Sequence, residues 1–172
     1  MRNLFKSLVI EENPDGSFSS SIKKKSVEDL PNGELLIKVS YSSLNYKDAL
    51  SISGNKGVTK SYPHTPGIDA VGIVEYSETD KYKIGDEVIV SGFDLGMNTP
   101  GGFGQYIRVP NKWACHLPNG LSALDSMAIG TAGLTAGLCA YELKKLNGVE
   151  GKKVVITGAT GGVGTFAIKI LN

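Results

Sequence analysis

The chain has 172 residues, 41% hydrophobic and 20% charged, with a formal net charge of +1. This balance describes a globular protein and gives no reason to expect nucleic acid or an acidic membrane surface as partner. Two cysteines in separate segments, Cys115 and Cys139, argue against a disulfide framework.

The opening Met1–Lys6 lacks the apolar core of a signal peptide, and no apolar run approaches the ~20 residues of a membrane span, so cytoplasm is the default expectation. Phe5–Glu11 and Phe18–Lys25 are predicted strands, joined by the turn sequence Asn13-Pro14-Asp15-Gly16 into a hairpin. Glu34–Ser40 is a further strand, and Asn45–Ile52 reads as a short helix. Asp69–Tyr76 and Glu87–Val90 follow, then Phe103–Val109 and Trp113–Leu117 on either side of Pro110-Asn111. Short strands at this spacing, with Gly and Pro between them, predict a barrel or sandwich.

Composition shifts after Pro118-Asn119-Gly120, and the domain boundary is placed at 118–125. Ser122–Leu146 is rich in Ala and Leu and predicted helical, interrupted near Gly130 and Gly133. Ser122 is the expected N-cap with Asp125 in the first turn, Lys144 and Lys145 suit the C-terminal end, and Asn147-Gly148 is the expected stop. A strand over Lys153–Thr157 is predicted next.

That strand runs into Gly158-Ala159-Thr160-Gly161-Gly162-Val163-Gly164. A β-branched strand, a glycine turn and an amphipathic continuation form a cradle for a dinucleotide pyrophosphate: glycines admit the phosphates and the first helical amides face their charge. No Lys-Ser or Lys-Thr follows Gly164, which excludes a P-loop. The residue that distinguishes NAD from NADP would lie roughly 20 residues further on, past Asn172.

Position separates two dehydrogenase classes. Short-chain reductases carry such a turn close to the N-terminus, whereas here about 150 residues precede it, the first 120 or so of β character. The chain therefore resembles the medium-chain dehydrogenase/reductase family, in its quinone oxidoreductase and acrylyl-CoA reductase branch. The resemblance is carried by Ser42-Ser43-Leu44-Asn45-Tyr46-Lys47-Asp48, Thr65-Pro66-Gly67-Ile68-Asp69-Ala70-Val71-Gly72, Gly85-Asp86-Glu87-Val88, Gly101-Gly102-Phe103-Gly104-Gln105-Tyr106 and Gly130-Thr131-Ala132-Gly133-Leu134-Thr135-Ala136. It implies a mixed β and α/β fold: a GroES-like β-barrel over 1–121, lacking its C-terminal return strands, then linking helices and the first βα unit of a truncated Rossmann domain over 122–172.

The zinc-dependent branch carries a Cys near the position of Asn45, a Gly-His-Glu where this chain reads Gly67-Ile68-Asp69, and a four-cysteine lobe. None is present here, and His64 is expected as a surface or turn histidine, so no metal is expected. Hydride transfer without zinc needs an already electron-poor acceptor: a quinone, or a double bond conjugated to a carbonyl or thioester. NADPH as cofactor and a homodimer in the full-length protein are implied by the resemblance. So is the placing of Tyr46 against the cofactor; Asn45, whose amide suits the nicotinamide or ribose edge, and Tyr46, an aromatic wall with a hydroxyl donor, are the catalytic candidates. The competing readings are Asn45 as a helix cap and Tyr46 as core, while Asp48 belongs either to the cleft or to the helix N-terminus.

Thr160, Gly161, Gly162 and Val163 are the expected pyrophosphate contacts. Thr131 and Thr135 are carried over as cofactor contacts, with packing hydroxyls as the alternative. These 172 residues alone are expected to be inactive, as part of a longer enzyme. The rival reading is a non-catalytic GroES-like binding module with a vestigial nucleotide turn.

Overall fold

A computed structural model describes residues 4–146 and 148–172; Asn147 of the expected helix stop and Met1–Asn3 of the chain's opening lie outside the described residues. The chain divides into two compact units, Met1–Ala128 and Ile129–Asn172.

The first unit opens with the expected hairpin, β1 (Leu4–Glu12) against β2 (Phe18–Ser26). Its turn closes through the Ser17 N–H, which donates to the Asp15 carboxylate at 2.9 Å, and the Asn13 N–H, which donates to the Ser17 carbonyl at 2.8 Å. β1 alternates as a half-buried strand should, turning Phe5, Ser7 and Val9 inward.

Five more strands form an antiparallel sheet in the order β6-β3-β4-β5-β7: β3 (Leu35–Tyr41), β4 (Asp69–Ser77), β5 (Glu87–Ser91), β6 (Tyr106–Val109) and β7 (Ala114–His116). β6 and β7 are consecutive in sequence yet sit at opposite edges. Four strand spacings in a flat sheet measure about 19 Å. The link Pro110–Trp113 reaches about 18 Å fully stretched, and Asn111–Trp113 is wound into a 3₁₀ turn. The sheet must therefore curl, helped by register shifts in β3 at Leu36/Ile37 and Val39/Tyr41. Leu35, Ile37, Val74, Val88, Val90, Leu95, Ile107 and Val109 fill the interior.

β6 begins at Tyr106, later than the expected Phe103. Residues 103–105 bridge to β1: the Leu8 N–H donates to the Phe103 carbonyl at 2.9 Å and the Gln105 N–H to the Lys6 carbonyl at 3.0 Å, while the Gln105 carbonyl still accepts the Val39 N–H of β3 at 2.9 Å. β7 is likewise shortened to Ala114–His116, because Trp113 belongs to the 3₁₀ turn.

Between β3 and β4 lies α1 (Tyr46–Ile52). α2 (Ala123–Lys145) starts where expected, with the Ser122 hydroxyl accepting the Asp125 N–H at 3.0 Å and donating to the Asp125 carboxylate at 2.6 Å. Its backbone leaves helical geometry at Gly130 (φ 51°, ψ −162°), while Gly133 stays helical, contrary to expectation. By length and composition α2 could cross a bilayer, which the sequence reading did not anticipate. The break at Gly130 leaves neither piece the ~20 continuous residues that a span requires.

In the second unit the expected strand over Lys153–Thr157 does not form. A ladder needs a neighbouring strand, and none is present among the described residues; Val155 is 89% exposed. The glycine turn then leads into α3 (Gly162–Leu171) as expected.

Candidate functional site

α1 is held by polar groups. Its buried residues are Asp48 and Ser51, while Tyr46 and Lys47 face outward. The Ser51 and Thr59 hydroxyls share a buried hydrogen bond of 2.7 Å. Asp48, 2% exposed, accepts the N–H of Asn45 through Oδ2 at 2.8 Å and the N–H groups of Ile68 and Gly67 through Oδ1 at 3.0 and 3.2 Å. Burial raises the pKa of this carboxyl, and the donors from Asn45, Ile68 and Gly67 oppose that rise. The helix-end reading of Asp48 is therefore the observed one, extended to a second strand of chain.

Gly67 takes φ 108°, and a Cβ there would lie 2.6 Å from the Phe103 nitrogen. Only glycine permits both the conformation and the approach.

Asn45 is the N-cap of α1, and its side chain is occupied as well. Nδ2 donates to Ser43 Oγ at 2.8 Å and to Asp69 Oδ2 at 3.0 Å. The Ser43 hydroxyl donates to the same Asp69 oxygen at 2.5 Å, and Ser42 Oγ donates to the Asp69 carbonyl at 2.6 Å. Asp69 is fully buried at the start of β4. Because a carboxylate only accepts, it fixes which way the Asn45 amide points. Tyr46 is 80% exposed, which rules out its alternative as a core residue. A buried polar face beneath an exposed aromatic inverts the usual helix pattern.

His64 is not a surface histidine. It is buried, pairs with Ile10 through backbone bonds of 2.8 and 2.9 Å, and its Nε2 lies 2.9 Å from the Gly96 carbonyl. Since a carbonyl can only accept, Nε2 carries the proton. Burial pushes its pKa below the ordinary value, with Lys25 adding to the effect. Among the described residues no group of three or more His, Cys, Asp or Glu could hold a metal ion.

The second unit gathers the other candidates. Gly161 caps α3 without any side-chain hydrogen bond, so the first amides of the helix have no side-chain acceptor from the cap. Its N–H closes the turn onto the Gly158 carbonyl at 3.0 Å. Thr160, Gly161, Gly162 and Val163 are all exposed. A Cβ on Gly162 would lie 3.1 Å from Ala132 Cβ, so the start of α3 rests beside the residue following Thr131. Thr135 donates to the Thr131 carbonyl at 2.7 Å, a bond within its own helix. Gly164 is buried, and a Cβ there would lie 2.2 Å from the Gly158 oxygen, so α3 and the turn meet with no space between them.

Sequence reasoning missed the roles of Ser43 and Asp69. The Asn45-x-x-Asp48 spacing signalled the cap, but nothing local signalled bonds reaching across 24 or 26 residues.

Comparison with known proteins matches residues 31–119 to the alcohol dehydrogenase GroES-like domain. The putative quinone oxidoreductase YhfP of Bacillus subtilis is 43% identical over all of this chain and 52% of its own length. Its crystal structure with NAD bound superposes with a TM-score of 0.93 at 42% identity, over 99% of this chain and 52% of that one. The acrylyl-CoA reductase AcuI of Ruegeria pomeroyi is 41% identical over 98% of this chain and 52% of its own. The yhdH oxidoreductase of Salmonella enterica, solved with NADP, has a TM-score of 0.92 and 40% identity over 96% of this chain and 51% of that one. The chain thus spans about half the length of the curated relatives it matches. With the domain match covering just over half of its residues, the chain belongs to the alcohol dehydrogenase GroES-like family, in the quinone oxidoreductase and acrylyl-CoA reductase branch of the medium-chain dehydrogenases/reductases.

Proposed function

We propose that the protein carrying this chain transfers a hydride from NADPH to a quinone or to a double bond conjugated to a thioester, without a metal. The observation that carries this reading is the glycine turn of Gly158–Gly161, which opens α3 with no side-chain cap. It occurs in a chain whose relatives include a putative quinone oxidoreductase, an acrylyl-CoA reductase and an NADP-bound oxidoreductase. NADPH is preferred to NADH on the Salmonella relative; the Bacillus relative, solved with NAD, is the reason to assay both.

When bound, the cofactor supplies the hydride; the acceptor takes up that hydride and one proton, becoming a hydroquinone or a saturated thioester. The amides of Gly162 and Val163 receive the pyrophosphate, Gly161 admits it by lacking a side chain, and Thr160, Thr131 and Thr135 lie around it. Tyr46 forms a wall with a hydroxyl that can deliver the proton, and Asn45, held by Asp69 and Ser43, sets the start of α1 that bears it. The domain division is proposed as a catalytic barrel over 1–121 and a nucleotide-binding part from 122. We place the activity in a cytoplasmic homodimer and expect none from these 172 residues alone, which span half of their relatives.

Oxidation of NADPH and NADH by the full-length protein, screened against quinones and enoyl-CoA esters, tests the reading. Turnover with NADPH and one acceptor class is expected. Absence of both turnover and nucleotide binding would leave the non-catalytic module instead.

A further inference from the structure

Phe93 is the single non-glycine residue at positive φ among the described residues, at 54°. An L side chain crowds its own backbone there, and a bulky ring is an outlier. Gly92 precedes it at φ 78°, and the Leu95 N–H donates to the Gly92 carbonyl at 3.3 Å. Phe93 thus occupies the first central position of a tight turn, where positive φ ordinarily selects glycine.

Burial does not offset that conformation, for Phe93 is 60% exposed. One face of the ring lies on Trp113, parallel to within 4° with centroids 5.4 Å apart. Trp113 packs against the interior of the sheet, so the base of the stack is fixed.

The ladder places the stack. Ser91, the last residue of β5, pairs with Asp69, and the Gly92 N–H donates to the Ile68 carbonyl at 3.2 Å. Phe93 therefore leaves the sheet beside the strand end whose Asp69 holds Asn45. A strained, exposed residue just past the end of a strand points to a use for its side chain. A rigid arene, electron-rich on its face, suits an offset stack with a flat, electron-poor ring. A quinone offers such a ring; an acyclic enoyl thioester has none at its reacting end.

We propose that Phe93, backed by Trp113, is the acceptor-binding platform of this protein and that the acceptor it selects is a planar quinone. The choice of acceptor rests on the hydride-transfer reading above; the platform itself does not.

Trp113 is the single tryptophan of the chain, so its emission reports on the stack. Titrating naphthoquinone into the protein should quench that emission saturably. In Phe93→Gly the apparent Kd should rise about tenfold, with no fall in Tm, because glycine accepts the backbone conformation. The KM for naphthoquinone in NADPH oxidation by the full-length protein should rise in parallel. Equal quenching in both proteins would overturn the proposal. So would a Tm lowered by several degrees in Phe93→Gly, since the ring would then be a packing element. Phe93-dependent quenching without NADPH oxidation keeps the platform and removes the hydride-transfer reading. Oxidation with a quinone KM indifferent to Phe93 does the reverse.

Discussion

Asp48 and Ile68 lie twenty residues apart and meet at 3.0 Å, the Ile68 N–H donating to Asp48 Oδ1. The other oxygen of the carboxylate takes the Asn45 N–H at 2.8 Å. One side chain thereby ties the start of α1 to the turn leading into β4.

Asp48→Ala leaves backbone donors from Asn45, Gly67 and Ile68 without this acceptor in a buried setting. The expected loss of stability is about 2 to 4 kcal/mol, read from urea unfolding. Asp48→Asn keeps one accepting oxygen and should lose less. A change for Asp48→Ala within about 0.5 kcal/mol would show that the clamp does not hold the fold.

Tyr46 makes a contrasting case, since its side chain is largely exposed. Tyr46→Phe should leave stability within about 0.5 kcal/mol of the parent. With the full-length protein and NADPH, kcat/KM should fall by about tenfold or more. An unchanged value would remove the hydroxyl from the proton path.

The two ends of the glycine turn separate binding from folding. A Cβ on Gly161 would meet only the Gly158 oxygen at 3.3 Å, and its φ of −78° suits alanine. Gly161→Ala should keep its Tm while its affinity for NADPH, by calorimetry, falls about tenfold through crowding of the phosphate. In Gly164→Ala the new Cβ would stand 2.2 Å from the Gly158 oxygen and 2.7 Å from Ala159 Cα, and both properties should fall. Undiminished NADPH affinity in Gly161→Ala would move the pyrophosphate elsewhere.

His64 sets a pH dependence. Its folded pKa lies below the ordinary histidine value of 6.5, so the unfolded chain binds this proton more readily. Its contribution is fully present above that value and declines as pH drops below it, by up to about 1.4 kcal/mol per pH unit. Denaturant unfolding between neutral pH and about pH 5 should show the decline, and His64→Gln should flatten it. Equal slopes in the two proteins would assign the dependence to other groups.

Much of this was legible where the chemistry is local. Asn13-Pro14-Asp15-Gly16, the helix start at Ser122 and the glycine turn each carry their own stereochemical signal, and each formed as read. Strand ends were legible only where no distant partner intervened, which is why Phe103–Gln105, drawn into bonds with β1, falls outside β6. Lys153–Thr157 has strand composition, yet composition cannot supply a neighbour. His64 was misplaced because its burial depends on Ile10 and Gly96, both far along the chain. The conformation of Phe93 had no signal at all, since the sequence presents an ordinary aromatic between Gly92 and Asp94.

The short link between β6 and β7 also bears on self-association. A curled sheet whose outer strands are joined by four residues has little exposed ladder on which another chain could build. Among the described residues the longest open flank belongs to β2, which pairs only with β1. Lys23, Lys24 and Lys25 lie along that flank, Lys23 in contact with Glu11 at 2.6 Å. Another copy adding there would bring a second run of ammonium groups against the first, so the hairpin guards the edge that curling leaves uncovered.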